Sequence, residues 1–364
     1  MHDVVVVGGG VIGLAVAYEL SRRGQKVQLL EQGQPGREAS WAGAGILPPG
    51  CPAPPEDPLV GLTAATNRLW PRLSEELRES TGIDNGFRRC GSIEFGENPG
   101  NDVSDEMAAW QQIGAETEPL STESARDYEE NLDADWGPCF RLPQTCQVRN
   151  PRHLKALLGA SEHEGVEIVS GATAVDFEME RERVTAVRTL TDRYPAERVI
   201  ICSGSWTSPL LARAGIRAEI EPIRGQIVLL STPQPVLRHV IECGHRYLVP
   251  RPDGRLLIGA TQEQAGFDKR NTATAVQDLL QFALRLCPAL ADAHIERIWA
   301  GLRPRALRGR PYIGPSPRFE NLYLAAGHFR WGLHLSPITG LLIRQMILGD
   351  PLEIDPSPFG FAVE

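Results

Sequence analysis

Gly8-Gly9-Gly10-Val11-Ile12-Gly13 follows directly on the β-branched run Val4-Val5-Val6-Val7, and no other stretch narrows the fold as far. The run reads as a strand buried on both faces, as in a parallel sheet. The glycines fit G-x-G-x-x-G. A helix-like stretch, Leu14 to Arg23, comes next, and Gly24 stands where such a helix stops. Val27 to Leu30 reads as a second strand, closed by Glu31. Each part has a task in holding a dinucleotide. Gly8 permits the tight turn, Gly10 lets the backbone approach a pyrophosphate, and Gly13 lets helix and strand pack closely. The helix start offers free N–H groups to phosphate. Glu31 lies about 20 residues on, where an acid accepts from ribose hydroxyls. The pattern predicts an α/β chain with a Rossmann-type nucleotide-binding unit. It does not choose between nicotinamide and flavin, and it names no chemistry.

The remaining 330-odd positions, roughly speaking, must build the reacting half. Gly36 to Leu47 is rich in small residues, which suit a backbone passing close to a ligand. Pro48 to Pro58 holds six prolines and reads as stiff and extended; it borders the active site or merely connects elements over the surface. Helices are expected over Leu59–Ser80, near Asp105–Ile113, over Leu154–Glu164 and over Val276–Leu286. Strands are expected at Val166–Val169, from Ala174 to Phe177, and at Arg198–Cys202. The last runs into Ser203-Gly204-Ser205-Trp206, a small-residue turn at a strand end, where ligands favour open parallel sheets. Residues 215–300 alternate strand-like runs (Ile227–Leu230, Tyr247–Val249, Leu256–Ile258) with turns, as an inserted, mainly antiparallel sheet would. Asn321–Ala326 reads as a strand, and Pro337-Ile338-Thr339-Gly340 as the opening of a helix to about Leu348. The expected division is a discontinuous cofactor domain of residues 1–80, 150–215 and 300–364. A substrate domain comprises 81–149 and 216–299.

Composition removes whole classes of function. A net charge of −9 argues against nucleic acid as a partner. No apolar run reaches membrane-span length, and Met1 to Val7 lacks a basic leader, so a cytoplasmic location is expected. The seven cysteines are odd in number and none has C-x-x-C spacing. The eight histidines show no ligand spacing. No disulfide framework and no metal are predicted.

Five segments carry a resemblance: Val4–Glu31, Glu38–Leu47, Tyr247–Arg251, Trp299–Gly314 and Leu324–Gly340. The most specific are Trp299-Ala300-Gly301-Leu302-Arg303-Pro304, Arg310-Pro311-Tyr312-Ile313-Gly314 and Ala325-Ala326-Gly327-His328-Phe329-Arg330. On these the chain resembles the glycine oxidases of the thiamine pathway, within the D-amino acid oxidase-like flavoproteins. The resemblance implies FAD as cofactor, oxidation of a small amino acid at its carbon–nitrogen bond, and oxygen as acceptor with peroxide as product. It also implies a homo-oligomer and a hand-off of the glycine imine to a thiazole synthase. Arg303 suits the substrate carboxylate, because guanidinium binds it in a two-pronged, charge-assisted way. Tyr247 would donate a phenolic hydrogen bond to the same group, and the resemblance assigns the backbone carbonyl of Arg330 to the amine. Flavin contacts carry over to Gly8, Gly10, Val11, Ile12, Gly13, Glu31, Gln32, Ala39, Ser40, Ala44, Gly45, Ile46 and Val175. They continue over Gly327, His328, Phe329, Arg330, Trp331, Gly332, Leu333 and His334. His328 receives no catalytic role.

Two departures bear on substrate choice. Trp331 stands where glycine oxidases often carry a small polar residue, and the proline-rich loop differs from the family pattern. No cysteine lies in Arg305 to Gly314, where the related sarcosine oxidases attach flavin, so FAD is expected to be non-covalent. Competing readings are oxidation of sarcosine, a D-amino acid or proline, and a flavoprotein subunit passing electrons to a partner, as in hydrogen cyanide synthase. A tRNA-modifying oxidase domain is disfavoured by the charge. Arg303 and Tyr247 argue against a flavin-bound protein without turnover.

Overall fold

The computed structural model describes residues 2–133 and 136–361. The glycine run does sit between a buried strand, His2–Val7, and a helix, Val11–Ser21. All side chains of that helix but Glu19 are buried, which a helix clamped between a sheet and other helices requires. His2–Val7 pairs in parallel with Val27–Glu31 on one side and Arg193–Ile201 on the other. Glu167–Ser170 and Leu322–Ala326 extend this parallel sheet at its two ends, and Tyr312–Pro315 adds an antiparallel strand beyond Leu322–Ala326. The hairpin Asp176–Glu180 and Arg183–Arg188 pairs on the first half of Arg193–Ile201. One face packs under the helices Val11–Ser21, Pro58–Thr81, Asn150–His163 and Gly332–Leu348.

A second sheet of eight strands is almost wholly antiparallel. Its longest members, Ile220–Ser231 and His294–Ala306, pair along nearly their full length. Arg255–Gly259, Arg246–Pro250, Val240–Cys243, Ser92–Phe95, Cys139–Leu142 and Glu118–Leu120 follow in that spatial order; only Val240–Cys243 and Ser92–Phe95 run parallel. The strand His294–Ala306 crosses residue 300, where the expected division of the chain changes sides.

Element limits differ from expectation in instructive places. Residues 48–57 are irregular, and Pro58 opens the next helix behind Asp57, whose side chain accepts from the Leu59 N–H at 2.8 Å. The C-terminal helix is a correction: it starts at Gly332, not at Pro337. Proline inside a helix leaves the carbonyl four residues back without its N–H partner. Here that carbonyl belongs to Leu333, and the Ser336 hydroxyl donates to it at 2.8 Å. The His334 carbonyl accepts from Thr66 Oγ1 and Trp70 Nε1, both at 2.9 Å. The helix therefore continues through Pro337, with its first turn tied to Pro58–Thr81. Among the described residues no helix is long and apolar enough to cross a membrane.

Candidate active site

A cavity of about 920 Å³ opens where the two sheets meet. At one end lies the glycine turn. Gly8 has φ +108°, and a Cβ there would collide with the Cys202 carbonyl. A Cβ on Gly13 would collide with the Gly8 carbonyl, so strand and helix approach as closely as backbone allows. Glu31 holds this turn from below: its carboxylate accepts from the Gly9 N–H at 2.7 Å and the Gly33 N–H at 2.9 Å. Ser40 Oγ accepts from the Val11 N–H at 2.9 Å. Asn150 donates to the Ser40 carbonyl at 2.8 Å, while its own Oδ1 is buried without a partner among the described residues, on the cavity wall. The buried guanidinium of Arg251 donates to the Ala44 carbonyl at 2.6 Å and pins the segment Ala44–Ile46 to the wall.

The same cavity reaches Tyr247, Arg303 and Arg330. The guanidinium of Arg303 lies over Gly225, and Tyr247 over Gly259; any side chain at either glycine would occupy the space these groups fill. Arg303 Nη1 donates to the Thr261 carbonyl at 3.0 Å. No carboxylate pairs with Arg303 among the described residues; it also bonds Tyr247, and its other donors are available to a ligand. Burial pushes the Tyr247 phenol above its ordinary pKa, opposed by the adjacent Arg303, so it remains a hydrogen-bond donor at neutral pH.

Every residue expected from the sequence lines this cavity except Gly13, which lies behind Gly8. That includes Gln32, Ala39, Gly45, Val175 and the stretch Gly327 to His334. Ser203 to Trp206 line it as well, as do Pro48 and Pro52, so the proline-rich segment does border the site. Trp331 is half-buried on the wall, with Arg330 over its ring at 5.3 Å. His328 is a core histidine: it is 2% exposed and its Nε2 meets Thr339 Oγ1 at 3.1 Å. Reading the sequence missed Glu94 and Glu242, both on the wall. Their signal was an acid inside a short apolar run, Ser92-Ile93-Glu94-Phe95 and Val240-Ile241-Glu242-Cys243.

Burial lowers His328 and His334 from the usual 6.5 to about 3, and His153 to about 4. The folded state keeps all three neutral while the unfolded chain protonates them near 6.5, so the stability they allow is complete above pH 6.5 and is lost as pH falls toward 4 and 3. Each is expected to cost about 2 kcal/mol at pH 5. Chemical denaturation at pH 7 and pH 5 checks this: equal midpoints at the two pH values refute it.

These residues fit a flavin dinucleotide: a glycine cradle that any Cβ would fill, an acid beneath it, an orphaned acceptor on the wall and room for a large planar group. Comparison with known proteins agrees. The family model for FAD dependent oxidoreductases matches residues 3–346. A glycine oxidase of Pseudomonas putida is 37% identical over 364 residues, covering 98% of this chain and 97% of that protein. The crystal structure of glycine oxidase from Geobacillus kaustophilus superposes with a TM-score of 0.95 at 34% identity, covering 100% of this chain and 99% of that one. The bifunctional protein ThiO/ThiG of Synechocystis is 35% identical over 354 residues, which cover 95% of this chain and 51% of that longer protein.

Proposed function

The chain belongs to the FAD dependent oxidoreductase family, and from that membership we propose that it oxidises glycine to its imine, with oxygen as the final acceptor. Bound FAD supplies the two-electron oxidation by accepting a hydride from the substrate α-carbon. The chain's own residues bind and orient. Gly8, Gly10, Val11 and Ile12 offer backbone to the pyrophosphate, and Gly13 packs the helix against the turn behind them. Glu31 and Gln32 take the ribose end, and Ala39, Ser40, Ala44, Gly45, Ile46 and Val175 line the path. Gly327 to His334 close the ring end beside the start of the C-terminal helix, where a positive dipole end favours negative charge. Residues 1–80, 150–215 and 300–364 serve the cofactor, and 81–149 with 216–299 serve the substrate.

The carrying observation is the pairing of Arg303 and Tyr247 over two glycines in the same cavity as the dinucleotide cradle. Guanidinium and phenol together hold a carboxylate, and the Arg330 carbonyl receives the amine, so the α-carbon is presented in one orientation. The imine then hydrolyses to glyoxylate and ammonia or passes to a thiazole synthase. The relative that carries ThiO and ThiG in one chain supports that hand-off.

Anaerobic mixing of the purified yellow protein with glycine, sarcosine, D-alanine and D-proline tests the substrate. Bleaching by glycine, reversed by air with peroxide release, is expected; bleaching by another amine alone moves the substrate. FAD is held without a covalent bond, because Arg305 to Gly314 contains no cysteine. Trichloroacetic acid is therefore expected to leave a white pellet and a yellow supernatant, and a yellow pellet refutes this.

A further inference from the structure

Strand register sets a row of side chains across the antiparallel sheet. Gly259 pairs with Tyr247, Tyr247 with Glu242, Glu242 with Glu94, and Glu94 with Phe140. Residues directly opposite one another in a sheet share a face, and neighbouring strands are about 4.8 Å apart. The row therefore presents phenol and two carboxylates side by side, and all three line the cavity that holds Arg303.

The chain pairs its other sheltered acids. Glu31 accepts two backbone N–H groups, Glu129 meets His239, Glu263 meets Arg224 and Glu19 meets Arg344. Among the described residues Glu94 has only the Ser92 hydroxyl, at 2.6 Å. Among the described residues Glu242 has no hydrogen bond and no ion pair, although it stands beside another carboxylate. An unpaired acid in a sheltered, like-charged place is costly unless a ligand completes it.

Resting on the functional reading above, we infer that Glu242 is the group that faces the substrate ammonium and takes its proton. Arg303 and Tyr247 hold the carboxylate of glycine, and Glu242, next to Tyr247 in the row, meets the other end. An ammonium has no lone pair to support loss of hydride. One N–H bond breaks, its electrons stay on nitrogen, and the proton bonds to a Glu242 oxygen. The neutral amine so formed holds the lone pair that would become the new C=N bond when bound FAD takes the α-hydrogen as hydride.

The surroundings suit that task. Facing Glu242 are Glu94 and Tyr247 from the adjacent strands and Arg330 from the segment across the cavity; Cys243, next in the chain, is buried. Burial and the neighbouring carboxylate hold Glu94 well above the usual carboxylate range, so Glu94 keeps the proton of the pair. Burial pushes Glu242 up to about 7, against the pull of Arg330. A base with this value is ionised just where a proton must be accepted at working pH.

The test uses the holoenzyme and two readouts. The first is affinity for glycolate, which has the carboxylate but no amine. It is expected to weaken about tenfold as pH rises through 7, when Glu242 ionises, and to be flat in Glu242→Gln. The second is kcat/KM for glycine against pH. The wild type is expected to rise with a limb near 7. In Glu242→Gln the limb moves up to the ionisation of free glycine, with a loss of about 100-fold at pH 7 that shrinks at pH 10. Arg330→Gln, which removes the positive charge that pulls Glu242 down, is expected to move the limb above 7 and serves if Glu242→Gln fails to fold. Glycolate affinity that is independent of pH in the wild type overturns the inference, as does an unmoved limb in both variants. A wild type that bleaches with another amine but never with glycine overturns the functional reading and this role together. One that oxidises glycine with an unmoved limb loses only the role of Glu242.

Discussion

Arg303→Ala is expected to raise the KM for glycine by about 100- to 1,000-fold while the purified protein stays yellow. Removing one partner of a sheltered charge pair costs roughly 2–5 kcal/mol, and each 1.4 kcal/mol is about tenfold. The cofactor cradle does not use this side chain: it lies over Gly225 and bonds the Thr261 carbonyl and Tyr247. Arg303→Lys keeps the charge but loses the fork, and recovers part of the affinity. Steady-state kinetics with an absorbance ratio for flavin measures both effects. Unchanged glycine kinetics in Arg303→Ala removes this residue from the mechanism.

The second large effect lies at the other end of the cavity. Gly13→Ala is expected to purify folded but nearly colourless, with FAD affinity lowered by about 100-fold or more. The added methyl would land on the Gly8 carbonyl, and backbone cannot yield as a side chain does. Overpacking costs about 1–3 kcal/mol, sometimes more, and here it is spent on moving the turn that must meet the pyrophosphate. Flavin-to-protein absorbance after purification in excess FAD reads the result, with circular dichroism to establish the fold. A fully yellow Gly13→Ala protein contradicts the packing argument.

Features written in local chemistry were legible from the sequence. The turn Gly8–Gly13 with its flanking strands follows from residue spacing, and the family pattern around Trp299–Pro304 and Ala325–Arg330 led to one cavity wall. Pro337 misled, because proline at a helix start is the ordinary case and only the tertiary ties of Ser336, Thr66 and Trp70 let this helix begin five residues earlier. Glu94 and Glu242 stayed hidden for another reason. Each is a lone acid in a short strand, and their adjacency arises from a parallel pairing between segments almost 150 residues apart, which no periodicity encodes. Gly225 and Gly259 were silent likewise, since their value lies in what the facing strand places over them.

The order of strands in the parallel sheet has a consequence for how the protein is made. His2–Val7 leaves the ribosome well before its neighbour Arg193–Ile201, which is synthesised nearly two hundred residues later, and the strand beyond that, Leu322–Ala326, comes later still. Such distant pairing is slow, because long loops must close before any contact rewards them. The residues that close the ring end of the cavity, Gly327 to His334, follow that last strand directly. A nascent chain thus carries its dinucleotide signature long before it can complete the flavin pocket. Cofactor capture must wait for those residues, and a chain terminated before them would display the signature without the means to fill it.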